Sequence, residues 1–559
     1  MSSNQGATIS NRQPADVVAL DRGHAEAGRT DVVAWLSVLG VAWLPAAIGG
    51  EFGPVALEIA AGVSFVSLLL LRRMVPGTPL LLIALLEASA LTPSGLVPAK
   101  YQYVPTAVAG AALLADFTWS VIRKRQALVL APRMLLAVVI AYAGWAIVTT
   151  VFSIDRGVST LYAVGIVLTL SIAFVVVPSM RGQAPLGRSI AHAVALLGVL
   201  AALASGFLML TGPITLFDRL MGQFLITEVT IDSRPIGLIV PWASGVFLTP
   251  ASQTGVLAIG LVALLWLRST STASRRRLYA ACTFLVLVAL LMAFARTGWL
   301  AALTGTLALA VYGIGRRQVD WWSVGTSFVL AACLGLILSG AAGAIVRPDL
   351  EQARYGAPGT TGPGASPGAS PGAVGGGNQP VPTDVTDPSN PGEPATQVRG
   401  GTSLSGRFSI WKASVEVIGR RPVLGYGLGT DAIAIETAMG SGLDRYRGLT
   451  SHSTWLRTGV ELGLPGLAIL IVFVLLILRS LARAVWPRGG ARLVLAEPLA
   501  AIPALGAMFL VLLSAQTFET SLLGGWNFPS LAWAICAGAA VGGVGTWGQP
   551  ARRDPAPET

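Results

Sequence analysis

The sequence predicts an all-α, polytopic integral membrane protein of about 14 transmembrane helices (12 to 14), with one large external loop containing short helices. Three observations carry this reading. Hydrophobic residues make up 53% of the 559 and charged residues only 12%, with a mean hydropathy of +0.68, whereas a soluble domain carries about 25% charged residues. Apolar runs of about 20 residues, the length needed to cross hydrocarbon, recur along the chain. Short clusters of arginine punctuate those runs on alternate sides. A net charge of +11 raises nucleic acid as a partner. The basic residues form no long stripe with interleaved aromatics, so they read as topology signals and not as a nucleic-acid surface.

Taken in order, residues 1–30 are polar and mixed in charge, with no apolar core followed by a small-residue cleavage site, and read as a disordered cytoplasmic tail. Helices 1 to 11 occupy residues 31–345, at 31–49, 54–71, 78–97, 102–122, 132–152, 157–179, 190–212, 246–267, 278–295, 297–315 and 321–345. Helices 12 to 14 follow within 462–547, at 462–479, 496–515 and 527–547, and 548–559 is a second cytoplasmic tail. Arg72/Arg73, Arg123/Lys124/Arg125, Arg181/Arg188, Arg268 with Arg275 to Arg277, Arg316/Arg317, Arg479 to Arg492 and Arg552/Arg553 all follow even-numbered spans. The positive-inside rule puts those sides and both termini in the cytoplasm. Segments 213–245 and 346–461 are then external, and irregular polar backbone belongs there because it must avoid lipid.

The larger external loop divides in two. Residues 356–399 are Pro, Gly, Ser and Ala with almost no large apolar side chain, so they cannot bury enough surface to fold and read as a disordered insert. Residues 404–461 read as folded. Phe408, Trp411, Val415 and Ile418 recur there at helical spacing as one apolar stripe facing the bundle, and Pro422 ends that helix. The following run Gly425 to Gly429 has the look of a phosphate-cradling loop, yet it trails a helix with no strand before it, and a glycine-rich turn is the preferred reading.

An external site has no ATP and must use an activated donor, so it needs cations for an anionic leaving group and a base for the acceptor. Of the three histidines, His24 lies in the tail, His192 at the cytoplasmic start of a span, and His452 just before the twelfth span on the external side, with Leu456 and Val460 following on one helical face. Arg296 falls between two apolar runs with no acidic neighbour, and must either snorkel to the interface or bind an anion. Arg407 lies in the first turn of an external helix, whose positive end favours a phosphate. Glu58, Glu87 and Asp116 lie inside early spans and have no evident partners; such carboxylates also suit a proton-coupled transporter, although no internal repeat is visible. Cys282, Cys333 and Cys536 read as small core residues, and Asp384 and Asp387 have the wrong spacing for a metal-binding pair, so no metal and no cofactor is expected.

The motifs around these residues resemble the O-antigen ligase and O-antigen polymerase superfamily of bacterial membrane glycosyltransferases. Its signature of His, Leu four on, Glu nine on, and Gly eleven and fourteen on is matched by His452, Leu456, Glu461, Gly463 and Gly466, with Ser453 where the family usually has Asn. Arg407-Phe-Ser-Ile-Trp411 followed by Pro422 to Gly429 looks like its Arg-x-x-x-Trp helix and glycine turn, and Ala295-Arg296 like its Ser-Arg pair. Gly245 to Pro250 is similar to a further family segment but lacks its Asn. The resemblance implies an enzyme of the bacterial cytoplasmic membrane with an outward-facing site. It would transfer a saccharide from a polyprenyl-pyrophosphate carrier, such as undecaprenyl pyrophosphate, to a hydroxyl on a glycan, lipid or protein acceptor, without metal and with inversion. His452 would be the base, Arg296 and Arg407 the pyrophosphate ligands, and Trp411, Glu461, Gly463 and Gly466 the supporting residues. Glu461 or Asp431 would replace His452 if it proved not to be the base. A polysaccharide polymerase of the same superfamily is the first alternative, because the motifs are shared, and a transporter of a glycan or lipid is the second.

The topology is directly checkable: in a background lacking Cys282, Cys333 and Cys536, an impermeant thiol reagent should label Ser370→Cys and leave Ser274→Cys unlabelled. The reverse pattern would invert the orientation.

Overall fold

The computed structural model describes residues 52–74, 79–91, 103–124, 130–180, 186–211, 250–293, 295–314, 404–439, 450–485, 501–518 and 527–544. It adds four strands between 214 and 243 and scattered single positions. The first and eleventh expected spans, the insert and both tails lie almost wholly outside the described residues.

The described chain is a helical bundle. In order the helices are α1 (Pro54–Met74), α2 (Leu80–Leu91), α3 (Val104–Lys124), α4 (Arg133–Val151) and α5 (Arg156–Ser171), which a π-helical turn at Ile172–Val176 extends to Ser179. Then come α6 (Leu186–Thr211), α7 (Pro250–Ser269), α8 (Ala273–Met292), α9 (Arg296–Ile314), α10 (Leu404–Arg420), α11 (Asp431–Met439), α12 (Thr454–Val485), α13 (Ile502–Thr517) and α14 (Phe528–Val544). Among the described residues seven helices are long and apolar enough to cross a membrane: α1, α3, α4, α5 with its extension, α6, α7 and α12. The apolar helices within α2, α13 and α14 are shorter, so this criterion does not reach the expected number of spans. Lipid is nonetheless the solvent that the outer surface suits. On α1, Val55, Ile59, Val63, Val66 and Leu70 form one stripe and are each between 52% and 68% exposed, an arrangement that water would penalise and hydrocarbon would not.

Small residues let the helices approach closely, as membrane helix packing requires. A Cβ on Gly198 of α6 would come within 2.9 Å of the Gly260 backbone on α7. Gly305 of α9 lies against Val262 of α7 and Val511 of α13, and Gly538 of α14 lies on the backbone of Ala173. At the centre, Phe473 of α12 meets Phe174 and Trp533 edge-on at 5.4 and 5.5 Å, and Phe509 stacks on Trp533 at 5.1 Å.

These contacts also fix direction. Ser205 meets Gln253 while Gly198 meets Gly260, so α6 and α7 are antiparallel. Gly298 meets Thr254 while Gly305 meets Val262, so α7 and α9 run parallel. Thr454 lies by Gln516 and Leu481 by Gly506, so α12 and α13 are antiparallel. The end of α6, the starts of α7, α9 and α12, and the end of α13 therefore share one end of the bundle.

Between α6 and α7 the chain forms two antiparallel hairpins, β1 (Ile214–Leu216) with β2 (Arg219–Met221), and β3 (Phe224–Ile231) with β4 (Arg234–Ala243). The second has a register irregularity between Glu228 and Thr230. The hairpins add to the helical plan; the β-branched residues of 226–231 and 236–240 are the signal for them.

The most consequential local feature is a break in α12. Gly463 has φ 69° and ψ −176°, and Pro465 follows, so the carbonyls just before the break lose their helical donors. The turn after α10 supplies replacements. Tyr426 N donates to Val460 O and Gly427 N to Glu461 O, each at 2.9 Å, while Leu464 N donates to Pro422 O at 2.7 Å. Trp145 Nε1 of α4 donates to Leu462 O at 2.8 Å. The run from Gly425 to Gly429 is thus a turn, with φ of 64°, 103° and 73° at its three glycines. A side chain at Gly425 would collide with the Glu461 carbonyl, and one at Gly463 with the Val423 carbonyl.

On α10 the buried face is Ile410, Ala413, Ser414 and Val417, and Val415 is 59% exposed, which corrects the expected stripe. The helix packs through small residues because Gly459 of α12 and Ala434 of α11 leave room for close approach, with Ile418 resting on Gly459.

Gly425→Ala should therefore destabilise the folded chain by about 2 kcal/mol or more, from a left-handed backbone and a backbone collision together, measurable as a fall in the thermal midpoint in detergent. A midpoint equal to wild type would mean that the turn does not hold α12 as described.

Candidate active site

The site is built where the turn, α11 and the start of α12 meet. His452 stands two residues before α12, and among the described residues it is the one non-glycine with positive φ, 46°. It is not on the helical face of Leu456 and Val460, as the spacing predicts, because the helix begins only at Thr454. The imidazole is half-buried between buried neighbours Ser451 and Ser453. Burial holds its pKa below the usual value, and the nearby Arg407 cation lowers it further, against an opposing pull from Asp431.

Beneath His452 lies a buried ionic cluster. Asp431, the first residue of α11, accepts from Ser451 N at 3.2 Å and Ser451 Oγ at 3.3 Å through Oδ2. Its Oδ1 faces Arg457 Nε at 3.9 Å. Arg457 donates to Glu461 Oε1 at 2.7 Å, one turn on along α12, and the same oxygen accepts from Gly429 N at 2.9 Å. The Arg457 guanidinium also lies over the Tyr162 ring of α5, 5.5 Å from its centroid. Sequence reading missed Arg457, although an Arg–Glu pair at i and i+4 entering a span was the visible signal.

Arg407, near the start of α10, donates to the Phe518 carbonyl at the end of α13 at 3.1 Å. Trp411 lies one turn on, its ring 6.4 Å from that of Phe518. Arg296 opens α9, exposed, at the same end of the bundle. Glu461 belongs to the ionic cluster, Gly463 forms the break, and Gly466 packs on Leu462. The structure thus gathers His452, Arg407, Trp411 and Glu461, and sets Arg296 at the same end on a neighbouring helix.

Other candidates fall elsewhere. His192 is bonded to Tyr279 at 3.0 Å, and its charged neighbours are Arg188 and Arg275, at the basic end. Asp116 pairs with Arg72 at 3.5 Å. Glu58 is exposed. Glu87 is fully buried, with no hydrogen-bond partner among the described residues. Cys333 is exposed, as an apolar residue facing lipid would be, and so is not a core residue; Cys282 and Cys536 are at least half-buried. His24, Asp384 and Asp387 lie outside the described residues.

A bundle of apolar helices, seven of them among the described residues long enough to cross a membrane, with a polar cluster at the end where α12 begins, defines a multi-pass membrane protein. Residues 281–471, from α8 into α12, match the family model described as O-antigen ligase. The matched segment contains Arg296, Arg407, Asp431, His452, Arg457 and Glu461. Comparison with the curated proteins finds no match.

Arg457→Met should destabilise the chain by about 3–5 kcal/mol, because it leaves Asp431 and Glu461 buried without their cation, and adding Glu461→Gln should recover part of that loss. Thermal unfolding of the single and double variants measures both; a single variant as stable as wild type would refute the cluster's role.

Proposed function

We propose that this chain is an O-antigen ligase-like glycosyltransferase. It moves a saccharide from a polyprenyl-pyrophosphate carrier to an acceptor hydroxyl on the outer face of the bacterial cytoplasmic membrane. The observation that supports this reading is a half-buried imidazole with the Arg407 cation acting on it, at the end of the bundle where α7, α9 and α12 begin. His452 takes the proton of the acceptor hydroxyl as its oxygen attacks the anomeric carbon. The bond from that carbon to the carrier's phosphate oxygen breaks on the opposite face, which inverts the centre. Arg407 and Arg296 bind the pyrophosphate and offset the charge that develops on it, which removes the need for a general acid. The nearby carboxylates are engaged within the protein, Asp431 by Ser451 and Arg457 and Glu461 by Arg457 and Gly429 N, and the proposed chemistry is metal-independent. The motifs suit a polymerase equally. A strain lacking a ligase should accumulate long chains on the carrier, and one lacking a polymerase should accumulate single repeats.

His452→Ala should lower turnover by roughly 10²- to 10⁴-fold with donor binding nearly unchanged. A folded variant retaining more than about a third of wild-type transfer would end the assignment.

The pH dependence has a definite sign. The base works when neutral, so activity should fall as pH drops through a value below the ordinary histidine pKa of about 6.5. Arg407→Gln removes a cation that favours the neutral ring, so it should move that acid limb to higher pH in a kcat/KM profile; an unmoved limb would separate Arg407 from His452.

A further inference from the structure

We propose that Asp431 and Arg457 are positioning residues for His452: Asp431 fixes, through Ser451, the left-handed backbone that presents the imidazole, and Arg457 holds Asp431 in place. This rests on the reading of His452 as the base.

A non-glycine residue stays in the left-handed region only when its surroundings over-determine it. Here both flanking residues are tied. Ser451, fully buried, gives its N–H and its hydroxyl to one oxygen of Asp431, at 3.2 and 3.3 Å. Ser453, also buried, has its carbonyl taken by Arg457 N at 2.9 Å, in the first turn of α12. His452 is therefore a short bridge clamped at both ends, and Arg457 is part of each clamp: its backbone holds Ser453 and its side chain faces Asp431. Glu461 completes the support, since it receives Arg457 at 2.7 Å and the glycine turn through Gly429 N at 2.9 Å. A continuous chain of contacts thus runs from the turn that caps the α12 break to the imidazole.

The placement also has an electrostatic consequence. The charged groups acting on His452 are Arg407 from α10 and Asp431 from α11, with Arg457 and Glu461 of α12 behind Asp431. Asp431 favours the imidazolium that forms when the acceptor's proton is taken, and Arg407 opposes it. Asp431 therefore serves both geometry and charge without touching the substrate.

Substitutions separate these two effects. Asp431→Asn keeps an oxygen to accept from Ser451 but loses the charge. In proteoliposomes of the full chain, with lipid-linked saccharide extracted from a strain lacking the enzyme, it should lower kcat about tenfold and leave the donor KM within about twofold. The acid limb should move to lower pH. Asp431→Ala loses both effects and should approach His452→Ala in kcat. The double variant Asp431→Ala/His452→Ala should be no slower than His452→Ala by more than about threefold, because a residue that acts through the imidazole has nothing left to act on.

Multiplying losses in the double variant, or a wild-type kcat and acid limb in both Asp431 variants, would overturn the proposal. Should Asp431→Ala not fold, Ser451→Ala removes one hydroxyl donor alone and should lower kcat about threefold at unchanged KM; an unchanged kcat overturns the proposal as well. If His452→Ala itself is active, the base reading fails. If His452→Ala is inactive while the Asp431 variants behave as wild type, only the positioning role fails.

Discussion

The break of α12 at Gly463 is the constraint on which the site depends. A helix entering a membrane cannot leave carbonyls unpaired, and the backbone at Gly463 leaves those of Val460, Glu461 and Leu462 without helical donors. Two of the three are met by the turn from Pro422 to Gly429 and the third by Trp145. The bonds are possible only because the turn's backbone lies against that of α12 with no side chain between them. The segment from α10 to α11 is thereby attached to α12 by main-chain hydrogen bonds, which are short and directional, and not by apolar contact alone.

That attachment sets the chemistry above it. Because the turn is fixed at the break, Gly429 N reaches Glu461 and α11 begins with Asp431 beside Arg457. Tyr426 also accepts from Ile154 N, and Ser159 of α5 donates to Leu428 O, so the link between α4 and α5 joins the same assembly. Two carboxylates and one guanidinium are held together out of water, where an unpaired member would be very unfavourable. Their mutual pairing gives the loop before α12 a rigid base. The half-buried His452 stands on that base, and Arg407 reaches the same place from α10 by way of the Phe518 carbonyl.

The opposite end of the bundle has a different character. Arg188 and Arg275 act together on His192 there, and Arg72 pairs with Asp116. Among the described residues, Arg188 near the start of α6, Arg268 at the end of α7 and Arg275 at the start of α8 lie at that end. The glycines of α6, α7, α9 and α14 keep that arrangement compact, because in lipid close van der Waals contact takes the place of the hydrophobic effect.

The sequence by itself determined the helical class, most of the helix positions and the grouping of loops, because crossing lipid demands long apolar runs and charges report their ends. Residue type and place single out His452 and Arg407, whereas Trp411, Glu461, Gly463 and Gly466 are named only through the family resemblance. The sequence did not show the left-handed backbone at His452, the start of α12 at Thr454, or the buried face of α10. Those depend on which carbonyls lack donors and which neighbours leave space, and neither is local in sequence. Arg457 shows the difference most clearly. Its neighbour Glu461 is four residues away and legible, whereas Asp431 and Tyr162 come from distant elements, and only the folded chain puts all of them within range of one guanidinium.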